Sequence, residues 1–210
     1  MNLPFTPEHF FGVFRTYNEA IWPAQVFLVA AALGAAYYAA RPAANSDRGV
    51  ALVLSLVWLW TGLIYHLLFF TAINPAAYLF GGMVLVQGVF FLWIGVVQNR
   101  LKFRAIANPR GVAGALLMSY ALVIYPLLGA QLGRSYPSSP TFGTPCPTTI
   151  FTFGILLWTS GTVPRYLLII PALWSLIGFT AAFSLGVTED LGLLVAGVTA
   201  TGLLWQRRAV

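Results

Sequence analysis

The sequence predicts an all-α membrane protein of seven transmembrane helices, with its N-terminus outside and its C-terminus in the cytoplasm. Three observations predict it. Seven apolar runs divide the chain, most of them long enough for a bilayer crossing, which takes roughly 20 residues. Charged residues make up 8% of the chain and nearly all lie between the runs, whereas a soluble domain carries about 25%. Lysines and arginines alternate from connection to connection, nine on one side and two on the other, and the richer side faces the cytoplasm.

The elements follow in order. Thr6, Pro7 and Glu8 predict the start of a short amphipathic helix. Thr6 caps it, Pro7 occupies its first turn and Glu8 favours its positive end. Phe10, Phe11 and Phe14 are then expected on the outer membrane interface. The spans are expected at about 21–40, 50–70, 76–97, 112–132, 148–160, 164–185 and 191–205, within one domain covering 1–210. The fifth is short and either extends into the preceding loop or starts below the membrane surface. Arg41, Arg48, Arg100, Lys102, Arg104, Arg110, Arg165, Arg207 and Arg208 set the cytoplasmic side, against Arg15 and Arg134 outside. Trp22 and Trp205 are placed as interfacial anchors. No basic region precedes an apolar stretch at the N-terminus, so the first span is expected to act as its own insertion signal.

Spans one to three resemble spans five to seven. Leu59-Trp60-Thr61 matches Leu173-Trp174-Ser175, and both first spans open with a proline and an aromatic residue four positions later. Both triplets run inward, which gives a 3+1+3 parallel repeat. Sugar-exporting SWEET transporters share that architecture. Their Pro-Gln motifs are absent here, so the likeness is architectural.

The net charge of +6 does not imply nucleic acid, because the basic residues are dispersed among short loops. The partners expected are the lipid bilayer and a second copy of the chain. A single cysteine, Cys146, excludes an intramolecular disulfide and a multi-cysteine metal site. It sits between Pro145 and Pro147. With Pro147 as the first helical residue, Cys146 is the N-cap and the free N–H groups of Thr148 and Thr149 face its sulfur. That geometry favours a thiolate, a soft metal or an anion; the plainer reading is a small packed residue. Pro145-Cys146-Pro147 is similar to the Cys-Pro signature of heavy-metal pumps, but no second cysteine or nucleotide-binding domain accompanies it.

His66, toward the outer end of span two, is the one histidine inside a span. It is a candidate for proton relay or metal ligation, or a helix-to-helix hydrogen bond that orders the bundle. Thr180 is its repeat counterpart. No cofactor is identified; haem would need a second axial ligand, and His9 lies outside the bundle. Glu19 either pairs with Arg15 on the surface or faces the bundle as a coupling carboxylate, with Gln25 two turns further in. Glu189 and Asp190 are read as first-turn charges of the last helix, and Gln87 as an interhelical donor. Cys146, His66, Glu19, Gln25, Thr149 and Thr180 therefore gather in the outer half of the bundle.

Four stretches carry a wider resemblance: YNEAIWPAQ at 17–25, INPAAYLF at 73–80, PTFGTPCPTTI at 140–150 and EDLGL at 189–193. They resemble an uncharacterised family of small bacterial integral membrane proteins. The resemblance implies the fold and a bacterial inner-membrane location, and brings no catalytic residues. The leading expectation is a small transporter or channel with its site in the outer half. A non-transport component binding a partner, lipid or pigment comes second. A thiol-dependent enzyme pairing Cys146 with His66 comes last, since no HExxH or GxSxG pattern is present.

Overall fold

A computed structural model describes residues 4–205, apart from the side chain of Ala181; Arg207 and Arg208 lie outside the described residues. Among the described residues the chain is helical, with no β-strand. The helices are α1 Pro7–Ile21, α2 Ala24–Ala40, α3 Ser46–Ala72, α4 Ala77–Val97, α5 Pro109–Gln131, α6 Pro145–Leu157, α7 Tyr166–Leu185 and α8 Leu191–Trp205. Helices α3, α4, α5 and α7 are each long and apolar enough to cross a membrane, and α1 with α2 forms a pair bent by 88°.

Helix α1 begins as its sequence dictates. The Thr6 hydroxyl accepts the His9 N–H at 3.3 Å, and Pro7 stands in the first turn. We expect Thr6→Ala to destabilise α1 by about 1 kcal/mol, read as faster hydrogen exchange of its first-turn amides with the rest of the bundle unchanged. The aromatic face does not lie out on the interface as expected. Phe14 is buried, Phe10 and Phe11 are half-buried, and Phe14 stacks on Tyr65 of α3 at 5.6 Å. The reason is the bend after Ile21. It lays α1 across the end of the bundle, where its apolar face covers the ends of other helices.

Helix α6 is the centre of the molecule. All its residues except Cys146 are buried. It packs on α3, α5, α7 and α8, and Trp58 donates its indole N–H to Thr152 at 2.9 Å in the middle of that packing. Its crossing with α5 is close. A Cβ added at Gly154 would stand 2.8 Å from the Gly114 carbonyl oxygen, and one at Gly114 would stand 2.7 Å from that of Gly154. Gln87 donates to the Leu167 carbonyl at 3.1 Å, tying α4 to α7 as expected.

Outward-facing side chains are apolar on every outer helix, including Phe27 and Tyr37 on α2, Leu68 on α3, Trp93 on α4, Leu116 on α5 and Phe183 on α7. Monomers in water rarely expose so continuous an apolar surface. Polar groups collect at the two ends. At one end Asp47 receives Arg104 at 3.1 Å, Lys102 at 3.6 Å and the Phe103 N–H at 2.9 Å. At the other lie α1, the proline-rich loop over 132–144, which carries Pro137 and Pro140, and the turn Thr188–Asp190.

Two local expectations are corrected. Pro145, not Pro147, opens α6, so Thr144 is its N-cap and Cys146 its second residue. The Thr148 N–H bonds the Thr144 carbonyl at 3.3 Å and is not free to face the sulfur. The N-capping geometry proposed for a Cys146 thiolate therefore does not form. Arg15 does not pair with Glu19; its guanidinium donates to Ser138 at 3.1 Å.

Candidate functional site

The α1 end of the bundle encloses a cavity of about 190 Å³. Its wall is largely apolar and rich in aromatic rings: Phe5, Phe10 and Phe14 from the α1 region, Tyr65 and Phe70 from α3, and Phe80 from α4. Polar groups interrupt this wall at several points, among them His66, Asn74, Cys146, Trp174, Ser184 and Asp190.

Each polar side chain has a local reason for its position. Helix α3 opens into wider i→i+5 turns over Thr61–Phe69, a distortion that often marks functional positions. His66 lies within it and is fully buried. Its ring meets Trp174 edge to face at 5.2 Å and Phe80 at 6.2 Å. Neither imidazole nitrogen has a hydrogen-bond partner in the protein, and the Trp174 indole N–H faces only the Cys146 sulfur, a weak acceptor. Buried polar atoms are almost always paired, so the two imidazole nitrogens on this wall ask for a partner in the cavity. Trp174 Nε1 and Cys146 Sγ flank Gly178: a Cβ there would stand 3.5 and 3.6 Å from them.

The acidic floor comes from the turn Thr188–Asp190. Glu189 is buried and forms an ion pair with Arg134, whose Nε donates to its Oε1 at 3.3 Å. Asp190, also buried, accepts the Tyr125 hydroxyl at 2.5 Å. Burial pushes the Asp190 carboxyl up to about 7, opposed by hydrogen bonds from Tyr125 and the Cys146 thiol. The sequence reading of these two residues as plain first-turn charges misses both partners. The legible signal was composition: two of the chain's five acidic residues are adjacent, with no Lys or Arg from 166 to 206 to pair with them locally.

The family comparison agrees with the resemblance drawn from residues 17–25, 73–80, 140–150 and 189–193. The family's model matches residues 7–210. The chain belongs to DUF6064, a family of unknown function. No curated protein and no solved structure matches it. In this DUF6064 chain the function must therefore be argued from the cavity itself.

Of the six residues expected to gather in one half, His66, Cys146 and Thr180 do line the cavity. Thr180 is held by its own helix, donating to the Ile177 carbonyl at 2.8 Å. The other three lie elsewhere. Glu19 is exposed on the outer face of α1, and Thr149 is buried inside α6. Gln25 belongs to a structural network. Its amide donates to Asn18 at 2.6 Å, and Asn18 donates to the Pro137 and Ser139 carbonyls at 2.6 and 2.8 Å. This network pins α1 to the proline-rich loop and closes the cavity's surroundings. Among the described residues, no three His, Cys, Asp or Glu side chains are grouped to hold a metal ion.

Proposed function

We propose that this chain is a small membrane transporter with seven spans, its N-terminus outside, and its solute site in the cavity of the outer half. The fully buried His66 imidazole, with neither nitrogen paired and its side chain on the cavity wall, carries this reading. The orientation is supported by the basic residues around Asp47 at the end opposite the cavity. Helices α6 and α8 complete the seven spans, α6 reaching the membrane surfaces through flanking protein. The helices that the repeat pairs differ in setting: α2 carries an exposed face and α6 is enclosed. The proposed pathway therefore rests on the cavity and not on internal symmetry.

A second reading, a binding component without flux, draws on the packing of α6. Below Cys146 that helix is buried on all sides, and passage of a solute requires it to move.

Cys146 reports on the site. In right-side-out membranes, an impermeant maleimide added outside is expected to modify Cys146, and His66→Trp, which fills the cavity, to slow the reaction about tenfold or more (roughly 1.4 kcal/mol). Modification only from the cytoplasmic side would reverse the orientation. Modification only after denaturation would remove the open site. Flux of a bound solute in proteoliposomes separates transporter from binding component.

A further inference from the structure

We propose that the occupant of this cavity is a small organic ammonium ion, held by the Asp190 carboxylate within a cage of aromatic faces. The inference rests on reading the cavity as a solute site and names the class of solute.

Charge excludes an anion. Of the two acidic residues at this end, Glu189 is matched by Arg134, while Asp190 has no ion pair among the described residues and lines the cavity. Its side-chain hydrogen bonds come from neutral donors, the Tyr125 hydroxyl at Oδ1 and the Cys146 thiol. An anion entering here would meet a carboxylate with no free cation beside it. A cation supplies the missing charge.

Wall chemistry excludes a bare metal ion and a strongly hydrated one. Besides Asp190 and scattered polar groups such as His66, Asn74 and Ser184, with no three metal-ligating side chains grouped among the described residues, the cavity offers the rings of Phe10, Phe14, Tyr65, Phe70, Phe80 and Trp174. Aromatic faces attract organic cations through their quadrupole and cost such weakly hydrated ions little water. The Phe80 and Trp174 rings stand 5.5 Å apart in an edge-to-face pair, as do Phe10 and Phe14 at 4.9 Å. This rigid aromatic box resists collapse onto an empty centre.

The unpaired imidazole argues against a purely apolar guest, which would leave both His66 nitrogens without partners and the Asp190 carboxylate without a counter-charge. An ammonium N–H would reach a His66 nitrogen lone pair or the carboxylate, and an oxygen on the same solute would accept from Trp174. The volume of about 190 Å³ lies below the range of about 300–1,000 Å³ found for drug-sized ligands. The solute is therefore only a few heavy atoms across.

Three probes of one shape test the class on the purified full chain: tert-butylammonium, tert-butanol and pivalate. Binding is read by calorimetry and by protection of Cys146 from N-ethylmaleimide. We expect tert-butylammonium to bind and protect, with the alcohol and the carboxylate at least about tenfold weaker. Asp190→Asn is expected to weaken the ammonium at least about thirtyfold. Equal binding of the alcohol, or preference for pivalate, would overturn the ammonium assignment and leave the solute site standing. Cys146 that reacts only in unfolded protein would overturn the site reading itself.

A variant-free measurement guards against misfolding of Asp190→Asn. Tetramethylammonium keeps its charge at every pH, so its pH dependence reports the protein. The groups facing Asp190 are Tyr65, Tyr120, Tyr125, Cys146, Glu189 and Arg134. With the Asp190 carboxyl near 7, a cation favours its ionised form. Affinity should therefore rise about tenfold per pH unit below that value and flatten above it. A flat profile between pH 5 and 8 would overturn the role of Asp190.

Discussion

Replacing Arg134 with Met is expected to destabilise the bundle by about 3–5 kcal/mol, the cost of stranding a buried charge. Methionine keeps the apolar stem and removes the guanidinium, so packing changes little. Glu189 is then left buried with no counter-charge, and water reaches it poorly because its side chain is fully enclosed. The pair also sits at a junction. Tyr120 of α5 donates to the Glu189 carbonyl at 2.6 Å, and Arg134 places its guanidinium 5.6 Å over the Phe11 ring of α1. Losing the charge thus loosens three elements at once. The check is unfolding in mixed micelles, with Glu189→Gln and the double variant beside it. Pairing a neutral glutamine with methionine removes the stranded charge, so the double variant should recover much of the loss. Additive losses would show that the two residues act independently.

Gly154→Ala is expected to cost about 1–3 kcal/mol through overpacking, toward the upper end because backbone is the obstacle. The new methyl would stand 2.7 Å from Met118 Cγ, 2.8 Å from the Gly114 carbonyl oxygen and 3.0 Å from the Met118 nitrogen. Methionine can bend away, but the α5 backbone cannot without carrying its turn along. Helix α6 cannot retreat either, since every other face is occupied. Gly202→Ala on α8 is the matched control. A Cβ there meets nothing within 4 Å, and alanine replaces a flexible helical residue, so stability should hold or rise by about 0.5–1 kcal/mol. Thermal melts of both variants in one detergent decide it. Equal melting temperatures would mean that α5 and α6 are not in contact at Gly114.

The helices were legible because membrane-length apolar runs have few other readings. Their ends were legible only where a cap spoke. Asn108 before Pro109 starts α5, its side chain accepting the Gly111 N–H at 2.8 Å. At the fifth run, three prolines crowd the start, and the apolar stretch alone points to Pro147. The threonine–proline pair Thr144-Pro145 is the better capping signal and is the one the fold uses. His66, Cys146 and Thr180 could be placed at one level because span register fixes depth. Which face a side chain takes is a matter of helix rotation, set by packing between distant segments. That is why Glu19 turns out to be exposed and Gln25 to belong to the Asn18 network. The Arg134–Glu189 pair joins residues 55 positions apart, and no local pattern encodes such a meeting.

The enclosure of α6 has a consequence for biogenesis. At 1.5 Å per residue, its 13 residues span about 20 Å, well short of a hydrocarbon layer of about 30 Å. A segment of that length with three threonines and two prolines partitions poorly into lipid by itself. Its longer neighbours can enter the bilayer one at a time as they emerge from the ribosome. In a chain inserted that way, helix α6 would take its place only as those neighbours close around it, and the centre would be filled after the longer helices are in.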